Sequence, residues 1–222
     1  MLNAAAYDAW YETPRGSWIG QRETALILKY LQPRQGESLL DVGCGTGYFT
    51  RSFAAAINGP VMGVDIDPER VAYARGRDAS GATYYIADAR DLPYADRSFD
   101  LVTSITALCF IAEEQTAIRE ILRVARRRFA IGLLNRHSLL WQREGRKGGG
   151  YQGAHWHTVR EALRLFQGQP VKNLRVHTAI QVPTGGWFAQ IIERFLPATT
   201  PTGAFILVVG DKVIDDPQAQ AA

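Results

Sequence analysis

The stretch Leu39-Leu40-Asp41-Val42-Gly43-Cys44-Gly45-Thr46-Gly47-Tyr48-Phe49 constrains this chain more than any other. A short apolar run carries a carboxylate, glycines follow at alternate positions, and a helix-compatible run from Tyr48 to Ala56 comes next. That order reads as strand, tight turn and helix, with the helix N-terminus aimed at whatever binds. Glycine suits such a turn because the backbone must approach a ligand closely and adopt positive φ, both of which a Cβ resists.

The spacing discriminates between ligands. A dinucleotide turn wants its third glycine three residues after the second; here Gly47 comes two after Gly45, and Tyr48 holds the dinucleotide position. A phosphate loop wants Lys and Ser/Thr after its glycines, and neither follows. Asp41 would repel a pyrophosphate and suits a cationic ligand instead. A short glycine pattern alone is weak evidence, the alternative being an ordinary turn in an α/β protein. The pattern Asp41-x-Gly43-x-Gly45-x-Gly47 resembles motif I of the class I S-adenosylmethionine (SAM) methyltransferases. That resemblance implies that the turn, Cys44 included, cradles the methionine and ribose portion of SAM, with Asp41 an acceptor for its ammonium group.

Two further strand ends carry acids. Val61-Met62-Gly63-Val64-Asp65-Ile66-Asp67-Pro68 reads as a buried strand ending at Asp65, about twenty residues after the turn, where Rossmann-like folds place an acid for ribose hydroxyls. Ile66 follows it as a further expected cofactor contact, and Asp67 is read as a helix cap before Pro68. The strand Thr83 to Ala87 ends at Asp88-Ala89. From there Asp88-Ala89-x-x-Leu92-Pro93 runs on to Asp96-x-Ser98-Phe99-Asp100, which is similar to the methyltransferase 11 type, in the ubiquinone/menaquinone-biosynthesis branch. The resemblance gives Asp88 the adenine amine and the Ala89 amide the adenine ring. Phe99 to Ile105 reads as the fourth strand, whose end, with Ile105, should border cofactor and substrate.

The leader Tyr7 to Gly16 is aromatic, broken at Pro14 and Gly16, and precedes a helix of roughly Trp18 to Leu31. Tyr7, Trp10 and Tyr11 either pack on the domain or form a lid, since aromatic faces attract sulfonium much as they attract ammonium; the resemblance favours a lid over residues 1–32. Helical periodicity spans Glu113 to Arg126, with Arg123, Arg126, Arg127 and Arg128 read as complementing the helix dipole. Phe129 to Leu134 is the fifth strand. Asn135, Arg136, His137, His155, Trp156 and His157, beyond a strand C-terminus, are candidates for an acceptor pocket. No carboxylate or cysteine sits at ligand spacing from those histidines, so no metal is expected, and no catalytic base is assigned. The remaining elements are a strand from Val171 to Ile180, an amphipathic helix from Trp187 to Leu196, and a last strand from Ala204 to Gly210.

The resulting expectation is one α/β domain over residues 1–214, with Pro217 to Ala222 within a disordered tail. It has a Rossmann-like, seven-stranded, mostly parallel sheet with helices on both faces. The family resemblance, which covers Tyr7 to Leu134, supplies the strand order 3-2-1-4-5-7-6 and the C-terminal antiparallel strand. The 222 residues suffice for a full core. A net charge of +3 does not imply nucleic acid. There is no run of about 20 apolar residues, no secretory signal, and the two cysteines are not in metal-type pairs. A cytoplasmic SAM-dependent methyltransferase acting on a small-molecule acceptor, anionic or carrier-tethered, is the leading reading. A nicotinamide-dependent oxidoreductase and a non-catalytic SAM-binding module are the alternatives.

Overall fold

The computed structural model describes residues 3–145 and 151–213; the expected tail, and the centre of the basic loop from Arg143 to Gly153, lie outside them. Seven strands form one sheet in the order β3-β2-β1-β4-β5-β7-β6, as the resemblance implied. β1 (Leu39–Val42), β2 (Val61–Asp65), β3 (Thr83–Ile86), β4 (Phe99–Ile105) and β5 (Ala125–Leu134) are parallel. β7 (Phe205–Lys212) runs antiparallel to both β5 and β6 (Val171–Ala179). β6 therefore points the same way as β5, and its C-terminus shares their edge.

Every residue of β1 is buried, so both faces of the sheet centre are covered, as parallel strands joined by helical crossovers require. The cover comes from α2 (Pro14–Leu31), α3 (Tyr48–Ala56), α4 (Pro68–Arg77), α5 (Glu114–Val124), α6 (Val159–Arg164) and α7 (Trp187–Phe195), with α1 (Ala4–Trp10) leading. Ile27 and Leu31 of α2, Leu39 and Leu40 of β1, Leu101 of β4 and Ile206 of β7 are wholly buried. Truncating one such leucine to alanine costs about 2–5 kcal/mol.

Three local readings are corrected. The aromatic leader holds a helix of its own, α1, capped by the Asn3 side chain. Pro14 does not break the next helix but opens it: Thr13 caps α2 and Pro14 takes its first turn, where a missing N–H costs nothing. Gly16 lies inside that turn because the Trp10 carbonyl occupies the space a Cβ would need. Finally, Arg126, Arg127 and Arg128 sit on β5 rather than at the end of α5. Each pairs with an acid brought by the fold: Arg126 with Asp100, Arg127 with Glu37, Arg128 with Asp211.

Candidate functional site

The glycine turn joins β1 to α3 and is hung from β2. The N–H groups of Gly43 and Cys44 both donate to the Val64 carbonyl, at 2.7 and 2.9 Å. Gly43, Gly45 and Gly47 all have positive φ, at 73°, 54° and 82°, where any Cβ is strained. Their surroundings differ. A Cβ on Gly43 would collide with that of Ala107, and one on Gly47 with the Tyr84 ring at 2.9 Å. A Cβ on Gly45 would meet only Arg70 Nη1, at 3.6 Å. Gly43 and Gly47 thus serve the protein's own packing, whereas Gly45, though buried, abuts only the end of the Arg70 side chain. No side chain caps α3, whose N-terminus begins at Gly47.

The acids were expected to converge on one ligand, and each is already engaged. Asp41 is buried below the turn, its carboxylate accepting from Thr50 Oγ1 at 2.7 Å and Thr103 Oγ1 at 3.0 Å. Burial pushes it up to about 6 despite those two hydrogen bonds. Its observed contacts hold β1, α3 and β4 together. Asp65, at the end of β2, accepts from the Gly45 N–H at 2.7 Å and from the Asp67 N–H at 3.0 Å. It sets the Gly45 backbone and the start of α4, which Asp67 caps as read from sequence. Ile66 beside it is 59% exposed, an apolar surface next to the glycine turn. Asp88 is gripped by Arg90, which also reaches Glu113 at 2.8 Å; hydrogen bonds from Arg90 hold the Asp88 carboxyl below its usual range. Ala89 and Ile105 are buried. The thiol of Cys44 lies against Gly63, and burial pushes its pKa up.

The leader lies directly on the turn. Tyr11 stacks on Tyr48 of α3, with ring centroids 3.8 Å apart, and its hydroxyl pairs with that of Tyr7. Burial raises both phenols. Glu23 on α2 faces the same tyrosines electrostatically, and burial, then the Glu193 carboxylate, push it up to about 8. The anchor of this arrangement was not read from the sequence. Asp8, 3% exposed, accepts from Thr46 Oγ1 within the glycine turn and from Arg51 Nη2, both at 2.9 Å. Arg51 returns to the Thr46 carbonyl. An Asp in a polar leader carries no signal of burial; only its partners 38 and 43 positions away disclose it.

The candidate acceptor residues separate into two groups. Asn135 is wholly buried and donates to the carbonyls of Pro201 and Gly203, so it ties loops. Arg136 pairs with Glu161. Trp156 is buried against Trp141 and Tyr151. These three are structural as placed, and His137 is exposed. His155 and His157, by contrast, meet on Glu114, the first residue of α5. His155 Nδ1 donates to Glu114 Oε1 at 2.8 Å and His157 Nε2 to Oε2 at 3.1 Å. Burial raises the Glu114 pKa, but the hydrogen bonds and charges of His157 and His155 outweigh it and hold the carboxyl below its usual range. Sequence spacing offered no carboxylate to these histidines; the fold supplies one 41 positions away. The segment is fixed by its backbone: His155 N–H donates to Cys109 O, His157 N–H to Leu134 O, and Arg136 N–H to His157 O. Cys109 lies within the short 3-10 turn Ala107–Phe110, which starts against Gly43. The histidine cluster therefore borders the glycine turn.

Residues 40–128 match the family model described as a methyltransferase domain. Those residues carry a methyltransferase domain, and the fold is that of the class I methyltransferases. Among curated proteins it is similar to an O-methyltransferase of Penicillium expansum, 34% identical over 135 residues, covering 57% of this chain and 49% of that one. Among solved structures it is similar to a SAM-dependent methyltransferase of Thermotoga maritima, described as a possible histamine N-methyltransferase. That match has a TM-score of 0.73 and 21% identity, and covers 94% and 95% of the two chains. The magnesium protoporphyrin IX methyltransferase of Synechocystis, solved with bound S-adenosylhomocysteine, aligns with TM-score 0.64 and 16% identity over 95% of each chain. The chain spans less than two thirds of the length of the first curated relatives it matches. No helix among the described residues is long and apolar enough to cross a membrane.

Proposed function

We propose that the protein is a SAM-dependent methyltransferase acting on a small-molecule acceptor. One observation carries this reading: at the joint of β1 and β2, Asp65 holds the N–H of Gly45, a positive-φ residue whose Cβ would meet only the end of the Arg70 side chain, beside the exposed Ile66. A nucleoside fits such a place, its ribose diol donating to Asp65 and its base lying on Ile66, with Asp88 and the Ala89 amide at the next strand end. The unspent lone pairs of Asp65 allow it to accept from a ribose while still holding the Gly45 N–H. Arg90 has to share or release Asp88 for the adenine amine to reach it. Asp41 serves the ammonium through the charge it adds beneath the turn, rather than by a free oxygen.

SAM, when bound, supplies a methyl group on positive sulfur, which carries the difficult part of the chemistry. The chain's own residues bind, orient and exclude water. The leader, through residue 32, acts as the lid. Asp8 fastens it to Thr46 and Arg51, and Tyr11 and Tyr48 place aromatic faces at the turn, where a cation is attracted. The acceptor enters from the side of His155 and the segment after β5. The two free cysteines support a reducing, cytoplasmic setting.

Calorimetry and a product screen test this reading. The full chain should bind SAM and not NAD, and should transfer labelled methyl from SAM to members of a small-molecule extract. NAD binding without SAM binding would return the oxidoreductase reading. SAM binding with no labelled product would leave a binding module.

A further inference from the structure

Glu114, His155 and His157 form the one group of three metal-competent side chains found among the described residues. The geometry points to a site for one divalent transition metal ion, of the zinc type, ligated by Glu114, His155 Nδ1 and His157 Nε2. Two histidines and a glutamate are the donor set of catalytic zinc sites that keep an open position for water or substrate. All three ligand atoms lie within 4.8 Å of one another, and the two nitrogen–oxygen separations are 2.8 and 3.1 Å. Ligands about 2.0–2.2 Å from a common ion stand about 3 Å apart, so small shifts of side chains would admit one.

The ligands are held where they are. Glu114 opens α5, with its carboxylate turned to the imidazoles instead of capping the helix. The backbone of both histidines is fixed to Cys109 and Leu134. His157 is buried at 1% side-chain exposure while His155 is 58% exposed, which leaves an entry path and an outward coordination position on one side. Loading the ion displaces the shared protons. On His157 the proton moves to Nδ1, which is buried and has no partner. That lowers affinity below that of a site with a complete outer shell. Through Cys109 and Ala107 the ion would border the glycine turn, on the side from which the acceptor is proposed to enter, where an acceptor oxygen could occupy the open position. The site itself does not depend on the methyltransferase reading.

The test uses the full chain, stripped with chelator and titrated with ZnCl2 by calorimetry and with CoCl2 by visible absorption. One ion per chain is expected, with visible cobalt bands and no near-ultraviolet thiolate band. His155→Ala and Glu114→Gln should each weaken Zn2+ binding by at least about a hundredfold, while His137→Ala leaves it unchanged. His155 is exposed, so its variant keeps the test valid if Glu114→Gln melts early. Absence of stoichiometric binding, equal affinity in His155→Ala, or a thiolate band from Cys44 or Cys109 would overturn the proposal and leave a hydrogen-bonded Glu–His cluster. Binding of the metal with no SAM binding would fail the functional reading and keep this one.

Discussion

The two sides of the strand edge that carries the site are built by opposite means. Around the glycine turn, the end of β2 holds the backbone of the turn that follows β1: Asp65 accepts from Gly45 and Asp67, and the Val64 carbonyl from Gly43 and Cys44. On the far side, beyond β5, the groups that meet come from distant stretches, with Glu114 joined to His155 and His157 and Asn135 to Pro201 and Gly203. The first side is built on successive strand–turn–helix units, with Asp8 and Thr103 added from a distance. The second is assembled by tertiary contacts, which is where one fold can change its acceptor without changing its cofactor.

Substitutions can break or sharpen that contrast. Gly43→Ala should be the most damaging, since it adds a Cβ at φ 73° against Ala107. Strain and overpacking together cost about 4 kcal/mol, read as a fall in denaturation midpoint. Asp8→Ala should cost about 3 kcal/mol, because Arg51 and Thr46 lose a buried partner. If its midpoint matches the wild type, the leader is not anchored as described. Asp41 has a folded pKa of about 6, above its unfolded value of 3.8. Its contribution to stability is complete below pH 3.8 and is lost as pH rises through 6. Asp41→Asn should lack that loss, and the stability difference between the two proteins should grow by about 3 kcal/mol over the interval. Asp65→Ala should weaken SAM binding by about 2 kcal/mol, on the order of a charged hydrogen bond; unchanged affinity would remove its ribose role. Smallest is Glu161→Gln. The Thr158 N–H and Arg136 hold that carboxyl down at about 2, so its contribution is present above pH 4.5 and lost as pH falls through 2. The pair is part-exposed, and less than about 1 kcal/mol is expected from a melt at neutral pH.

How much was legible in the sequence follows the same division. The strands β1, β2 and β4, the helix α3 and the cap at Asp67 were readable because apolar runs, glycines and carboxylates lie next to one another in the chain. The acids at strand ends were readable as residues, but not their present partners: nothing near Asp41 in sequence announces Thr103, 62 positions on. Pro14 looked like a break because an N1 proline and a helix-ending proline are the same letter until the cap at Thr13 is seen. Arg126 to Arg128 looked like a charge run after a helix because their acids are 26, 90 and 83 positions away. His155 and His157 stood without a carboxylate for the same reason.

A crystal structure of the full chain with S-adenosylhomocysteine tests the central claim most directly. The nucleoside should lie against Gly45 and Ile66, with its ribose hydroxyls on Asp65 and its adenine near Asp88 and Ala89. A nucleoside bound elsewhere, or one seated at the turn with Asp65 contacting only Gly45 and Asp67, would contradict it.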